Sequence, residues 1–301
     1  MRILVLGRTG YLGRHVAERF DALPGARLLD GGRAAGADHP LDLAADHPEQ
    51  LVKTLAAAAP DAVVNCAGAT GGDPVTLAEV NARGPAALCA ALRQAAPSAR
   101  LVHLGSAAEY GPGTPGSRVA ESAAACPTTP YGATKLAGTL AVTASGLDAV
   151  VLRVTNPVGP GAPAAGLPGR VAGLLRAAGG DPGAVLRLGD LSAYRDFVDA
   201  RDVARAVELA VTAPGTLPPV LNIGAGHAVA VRELVHALAE RAGFRGRIEE
   251  DGAGSARSAA GWQCSDVSAA DRALDWRPRS GLTHMVAALW RATAAEVGAG
   301  R

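Results

Sequence analysis

Short apolar runs alternate with longer Ala- and Leu-rich stretches through the first half of the chain. The runs Ile3–Leu6, Ala26–Leu29, Ala62–Asn65, Leu101–Leu104 and Ala149–Val154 are short and rich in aliphatic residues, which predicts strands. Between them, Tyr11–Leu23, Glu49–Ala59, Val75–Ala95 and Pro130–Ser145 predict helices. Strands alternating with helices pair in parallel through right-handed crossovers, so the fold class is α/β with a doubly wound parallel sheet. A Pro/Gly-rich stretch, Asn156–Gly169, breaks the rhythm. Beyond it a helix is predicted near Val198–Val211, a strand at Val220–Ile223 and a helix at Val231–Arg241. The pattern predicts a large domain over residues 1–155, with 195–224 returning to it. A smaller C-terminal α/β domain is expected mainly from 156–194 and 225–301.

Composition narrows the function classes. At 301 residues and 49% hydrophobic, the chain can bury a sizeable core. A net charge of +1 gives no reason to expect nucleic acid or an anionic membrane as partner, and no apolar run is long enough to span a bilayer. Cys66, Cys89, Cys126 and Cys264 are scattered without a CxxC pair or metal-like spacing, so four reduced thiols and no metal site are expected. The first strand begins at Arg2, which leaves no room for a targeting segment, and a cytoplasmic protein is expected. Positive charge is carried almost wholly by arginine, with Lys53 and Lys135 the only lysines. A lysine that survives such a bias is a candidate for chemistry.

The first strand runs into Gly7-Arg8-Thr9-Gly10-Tyr11-Leu12-Gly13, a GxxGxxG turn that opens a helix. Glycines allow a tight turn and close approach of backbone to a pyrophosphate, whose charge the free N–H groups of a helix N-terminus satisfy. In this context the turn predicts a dinucleotide-binding Rossmann domain, leaving the smaller domain to bind substrate. The end of the second strand, Leu28-Leu29-Asp30-Gly31-Gly32-Arg33, offers both signs of charge. A carboxylate at Asp30 would accept the adenosine ribose hydroxyls of NAD(H), whereas Arg33, and Arg8 within the turn, would favour the 2′-phosphate of NADP(H). The spacing favours NADP(H), with NAD(H) the alternative.

Tyr131-Gly132-Ala133-Thr134-Lys135 follows Pro130 at the predicted start of a helix. A spacing of four puts both side chains on one face, where the ammonium lowers the phenol's pKa and can hold the nicotinamide ribose. Leu104-Gly105-Ser106-Ala107-Ala108-Glu109-Tyr110-Gly111 lies at the carboxyl end of a predicted strand, where catalytic groups of open α/β sheets collect. Ser106 there would hydrogen-bond a substrate carbonyl or alkoxide while Tyr131 moves the proton.

These elements resemble the extended short-chain dehydrogenases/reductases, especially those acting on nucleotide-linked sugars. The resemblance runs to about residue 280. It takes in Asn65-Cys66-Ala67-Gly68, Val80-Asn81, Leu152-Arg153-Val154-Thr155-Asn156-Pro157-Val158-Gly159, Arg195-Asp196-Phe197-Val198-Asp199 and Asn222-Ile223-Gly224. It implies that Ala67 and Gly68 line the diphosphate–ribose region and that Asp42, Leu43 and Asn81 belong to the cofactor site. It also implies that Asn156 and Val158 sit where cofactor and substrate meet, and that Arg195 and Arg257 grip the sugar-nucleotide diphosphate, as suits a guanidinium fork. A homodimer is a further expectation.

Within such a family, 4,6-dehydratases carry acids just after the catalytic Ser/Thr, where this chain has Ala107 and Ala108. The cysteine of the 3,5-epimerase/4-reductases is also missing from this segment. The reading that remains is hydride transfer at one carbon. A 4-keto-sugar nucleotide ketoreductase is favoured over an NAD-dependent 4-epimerase or a ketoreductase of another small natural product. A dinucleotide sensor without turnover fits poorly, because Tyr131 and Lys135 are both present.

Overall fold

The computed structural model describes residues 1–250 and 261–299. Strands are β1 (Arg2–Leu6), β2 (Arg27–Gly32), β3 (His39–Pro40), β4 (Ala62–Asn65), β5 (Arg100–Ser106), β6 (Ala149–Val154), β7 (Asn156–Val158), β8 (Val185–Leu188), β9 (Tyr194–Arg195), β10 (Phe197–Asp199), β11 (Val220–Ile223), β12 (Val229–Ala230) and β13 (Arg247–Glu250). Helices are α1 (Tyr11–Asp21), α2 (Pro48–Ala58), α3 (Pro74–Ala78), α4 (Gly84–Ala95), α5 (Pro130–Thr143), α6 (Leu167–Ala178), α7 (Ala200–Thr212), α8 (Val231–Ala242), α9 (Ser268–Leu274) and α10 (Leu282–Ala299).

The central sheet has seven strands in the order β11-β6-β5-β4-β1-β2-β3, every neighbouring pair parallel. Because side chains alternate across a strand, β1 feeds two cores at once: Ile3 and Val5 pack on the α1/α7 side, Leu4 and Leu6 on the α2/α4 side. The winding reverses between β1 and β4, and the crevice at the carboxyl ends of those strands is where such a sheet binds ligands. A third cluster joins α6, β8, α8 and α10 through Leu175, Leu186, Leu234 and Leu289. Helix α9, assigned above to the C-terminal region, packs instead on the large sheet through Ala270 and Leu274.

Two elements differ from the sequence reading. Val75–Ala95 is not one regular helix: a π-helical turn, Glu79–Arg83, lies between α3 and α4. The helix expected from Val198 begins at Ala200, because Phe197–Asp199 pairs with β7 and Asp199 caps α7 by accepting the Arg201 N–H at 2.8 Å.

Candidate active site

The glycine turn can be built only from glycine at its two ends. Gly7 has φ +77°, and a Cβ there would lie 2.7 Å from the Ala67 nitrogen; a Cβ on Gly13 would sit 2.0 Å from the Gly7 carbonyl oxygen. Gly10 precedes helix α1 as its N-cap and offers no capping side chain, and the first turn holds no acid, so the positive end is open to an anion. This open cradle fits a dinucleotide pyrophosphate. Beside it lies a groove of about 550 Å³ lined by Arg8, Thr9, Arg14 and Asp30 among others. Thr9, Tyr11 and Leu12 complete the turn, and the Tyr11 ring packs edge-on to His15 at 5.6 Å.

Arg33 stands outside that groove's lining, its side chain 80% exposed and 4.0 Å from Asp42. Asp42 accepts the Ala44 N–H at 2.9 Å, and Leu43 packs into the core on the α2/α4 side. Arg83 from the π-turn donates to the Leu43 carbonyl at 3.1 Å and ties this loop down.

At the end of β4, Asn65 Oδ1 accepts the Ala67 N–H at 3.1 Å, and its amide nitrogen meets His103 Nδ1 at 3.1 Å. Burial holds His103 well below its usual pKa, so the ring is neutral. Asn81, at the π-turn, clamps the following residues. It accepts the Ala69 N–H at 2.9 Å, donates to the Ala69 carbonyl at 2.8 Å and reaches Thr134 Oγ1 at 3.3 Å. A Cβ on Gly68 would lie 3.9 Å from Lys135 Nζ, so the β4 loop runs close to the YxxxK lysine.

Helix α5 begins with Thr129, whose hydroxyl caps the Gly132 N–H at 3.1 Å. Tyr131 is half-buried in its first turn. Two glycines bring α5 close to its neighbours. A Cβ on Gly132 would be 2.5 Å from the Ala108 carbonyl oxygen, and one on Gly138 2.2 Å from that of Asn81. The start of α5 is thereby packed against the turn that follows Ser106. Lys135 is buried and donates to the Leu104 carbonyl at 2.5 Å. Burial lowers its pKa to about 8, with Glu109 and Cys66 acting in the opposite sense. Ser106 ends β5 and caps the 3₁₀ turn Ala107–Tyr110, its hydroxyl accepting the Ala108 N–H at 3.2 Å.

On the substrate side, the Asn156 amide nitrogen donates to the Asp196 carbonyl at 3.0 Å and to Gln263 Oε1 at 2.7 Å. Asp196 is fully buried and accepts the N–H groups of Ala225 (2.6 Å), Gly226 (3.2 Å) and Ser265 (3.1 Å). A Cβ on Gly224 would come within 2.6 Å of that carboxylate, which explains the glycine after β11. Arg195 donates to the Tyr194 carbonyl at 2.8 Å. Val158 ends β7, and its side chain is fully enclosed in the third core cluster, which leaves its backbone as the part that can meet a cofactor. Arg257 lies outside the described residues.

Sequence reasoning missed Gln263, and it missed that Glu109 is wholly buried: Glu109 accepts the Ser106 N–H at 2.7 Å and pairs with Arg153 at 2.7 Å. The spacing Ser106-x-x-Glu109 is a capping box, the one sequence signal that pointed to this inward turn.

Sheet, glycine turn and YxxxK helix together define an NAD(P)-dependent oxidoreductase of the extended short-chain dehydrogenase/reductase class. The sequence model of the NAD dependent epimerase/dehydratase family matches residues 3–224, and the chain belongs to that family. It is 39% identical to a dTDP-6-deoxy-L-talose 4-dehydrogenase (NAD(P)(+)) of Kitasatospora kifunensis, over 97% of this chain and 95% of that one. A GDP-6-deoxy-D-mannose reductase of Pseudomonas aeruginosa is 29% identical over 83% of each chain. Among solved structures, RMD from Pseudomonas aeruginosa complexed with NADPH shares the fold at a TM-score of 0.85 and 24% identity, covering 98% and 99% of the two chains. MoeE5 in complex with UDP-glucuronic acid and NAD aligns at 0.83 and 26% identity, covering 98% and 100%. No helix among the described residues is long and apolar enough to cross a membrane.

Proposed function

We propose that this enzyme reduces the 4-keto group of a nucleotide-linked 6-deoxysugar, with NADPH preferred over NADH, through Ser106, Tyr131 and Lys135. The observation that supports this reading is the close packing of Gly132, between Tyr131 and Lys135, against Ala108 of the turn that Ser106 caps. Gly7, Gly10, Gly13, Ala67 and Gly68 would hold the dinucleotide backbone, Lys135 the nicotinamide ribose, and Asp30 with Arg8 and Arg33 the adenosine ribose. When bound, the cofactor supplies the hydride to the carbonyl carbon. Tyr131 gives its phenolic proton to the carbonyl oxygen as charge develops there, and Ser106 donates a hydrogen bond to the same oxygen. The Lys135 ammonium favours the phenolate that Tyr131 becomes, and solvent then reprotonates the phenol.

An elimination is disfavoured because Ala107 and Ala108 carry no acid and the carboxylate of this turn, Glu109, faces inward onto Arg153. The name and cofactor range of the 39% identical relative support a dTDP-linked 6-deoxyhexose at the 4-position. Residues 156–194 and 225–301, with Asn156, Arg195 and Arg257, would form the substrate-binding part. The second reading, an NAD-dependent 4-epimerase, draws on Asp30 lining the groove beside Arg8 while Arg33 faces solvent. A cytoplasmic homodimer belongs to the proposal, supported by Val75 and Leu140, exposed on the α3 and α5 helices.

The test is consumption of NADPH or NADH with dTDP-4-keto-6-deoxyhexoses, with the product's configuration read by NMR. Reduction at C4 with net cofactor consumption is expected. Interconversion of C4 epimers without net consumption would replace the reductase by the epimerase.

A further inference from the structure

Glu109 is the one charged group of the Ser106 turn, and the reaction as proposed does not use it. Its carboxylate lies over Gly105, where a Cβ would come 2.8 Å from Oε1, so the Gly105-Ser106 pair makes room for it. Oε1 accepts the Ser106 N–H at 2.7 Å and Oε2 takes the Arg153 Nε–H at 2.7 Å. Arg153 is the register partner of Gly105 on the next strand, and its guanidinium stacks 4.5 Å over the Tyr110 ring. Tyr110 is fixed in turn by Asn222 at 2.8 Å. The carboxylate is therefore rigid, dry and fully enclosed.

We propose that Glu109 is a positioning residue: its carboxylate, paired with Arg153 and set over Gly105, fixes the Ser106 strand end through the N–H and favours the ammonium form of Lys135, which is bound to the carbonyl of the preceding residue, Leu104. This rests on the reading of Lys135 as the group that holds the nicotinamide ribose. The groups that face Lys135 are few. Cys66, at the end of β4, is a neutral thiol, pushed up to about 12 by burial. His103 on β5 is neutral for the same reason. Tyr131 lies on the lysine's own helix, one turn away. Arg153 stands behind the carboxylate and is occupied by it. Among the described residues Glu109 is thus the anion available to offset the cost of burying the ammonium.

The test is the pH dependence of NADPH and NADH affinity, read by cofactor fluorescence between pH 6 and 10, which needs no knowledge of the substrate. In wild type, affinity should fall as Lys135 loses its proton at alkaline pH. Glu109→Gln keeps the shape and an acceptor for Ser106 but removes the charge. Its midpoint should drop by roughly one pH unit, with affinity near wild type at pH 6. Glu109→Asp keeps the charge but is too short to serve both Ser106 and Arg153, so its midpoint should stay while turnover falls. If the unpaired Arg153 prevents Glu109→Gln from folding, the double variant Glu109→Gln/Arg153→Gln replaces it, with a smaller shift of the same sign expected. A wild-type midpoint that neither neutral variant moves overturns the proposal for Glu109. A wild type with no alkaline loss of affinity overturns instead the assignment of Lys135 to the ribose.

Discussion

Lys135→Met should stabilise the cofactor-free protein at neutral pH while removing its activity. Burial lowers this ammonium from an ordinary 10.5 to about 8, whereas in the unfolded chain it titrates normally. Between about pH 8 and 10.5 the unfolded chain therefore binds more protons than the folded one, and stability rises with pH across that window. Below pH 8 the full cost of burying the charge is present, about 3 kcal/mol at about 1.4 kcal/mol per tenfold change. Methionine fills the same channel without charge, but it leaves the Leu104 carbonyl without the Lys135 donor, costing about 1 kcal/mol. The net gain is about 2 kcal/mol at pH 7, a rise in Tm of a few degrees for a chain of this size. It should vanish and reverse by about pH 10. Urea denaturation of both proteins at pH 6, 7, 8, 9 and 10 measures it. A variant less stable than wild type at pH 7, or a difference that does not change with pH, would refute the reasoning.

Tyr131→Phe removes only the phenolic oxygen; cofactor titrations should change little while turnover falls at least about a hundredfold, and retention of a tenth of the activity would defeat the assignment. Gly13→Ala sets a methyl where the Gly7 carbonyl stands, 2.0 Å away, so the turn must open. Cofactor binding should be lost and Tm lowered, and wild-type affinity in equilibrium titrations would show that α1 can shift freely. For cofactor choice, Arg33→Ala should remove most of a preference for NADPH, and Asp30→Ala should enhance that preference. A wild type that prefers NADH, with the preference abolished in Asp30→Ala, reverses the assignment and favours the epimerase.

Much of the fold was legible because strands covered on both faces read as continuous apolar runs that stand out from amphipathic helices. Ile3–Leu6 and Ala62–Asn65 are examples. The two-residue strands Tyr194–Arg195 and Val229–Ala230 carry no such pattern, since each exists only because the other is brought beside it from more than thirty residues away. The π-turn at Glu79–Arg83 was invisible for a different reason. One extra residue per turn hardly disturbs the apolar spacing of Val75–Ala95, yet it aims Asn81 at Ala69 and Thr134. Motif residues such as Ser106, Tyr131 and Lys135 could be picked out locally. What surrounds them could not: Gln263 reaches Asn156 across 107 positions, and Arg153 reaches Glu109 across 44.

The YxxxK motif owes its setting to residues that do no chemistry. Helix α5 is held in its first turn and at its middle by contacts too short for any side chain, Gly132 on the Ala108 carbonyl and Gly138 on that of Asn81. The first contact fixes how close Tyr131 stands to the Ser106 turn, and the second ties the helix to the π-turn that holds the β4 loop. Between these two points, Lys135 is pressed into a site where its charge is costly, and Glu109 is the group that offsets the cost. The position of the helix and the charge state of its lysine are therefore set by neighbours on opposite sides: glycines fix the distance, and a buried carboxylate fixes the field. A substitution at either glycine should disturb turnover through geometry at every pH. Neutralising Glu109, as in Glu109→Gln, should act through pH. That difference separates the two devices by experiment even though both act on the same helix turn.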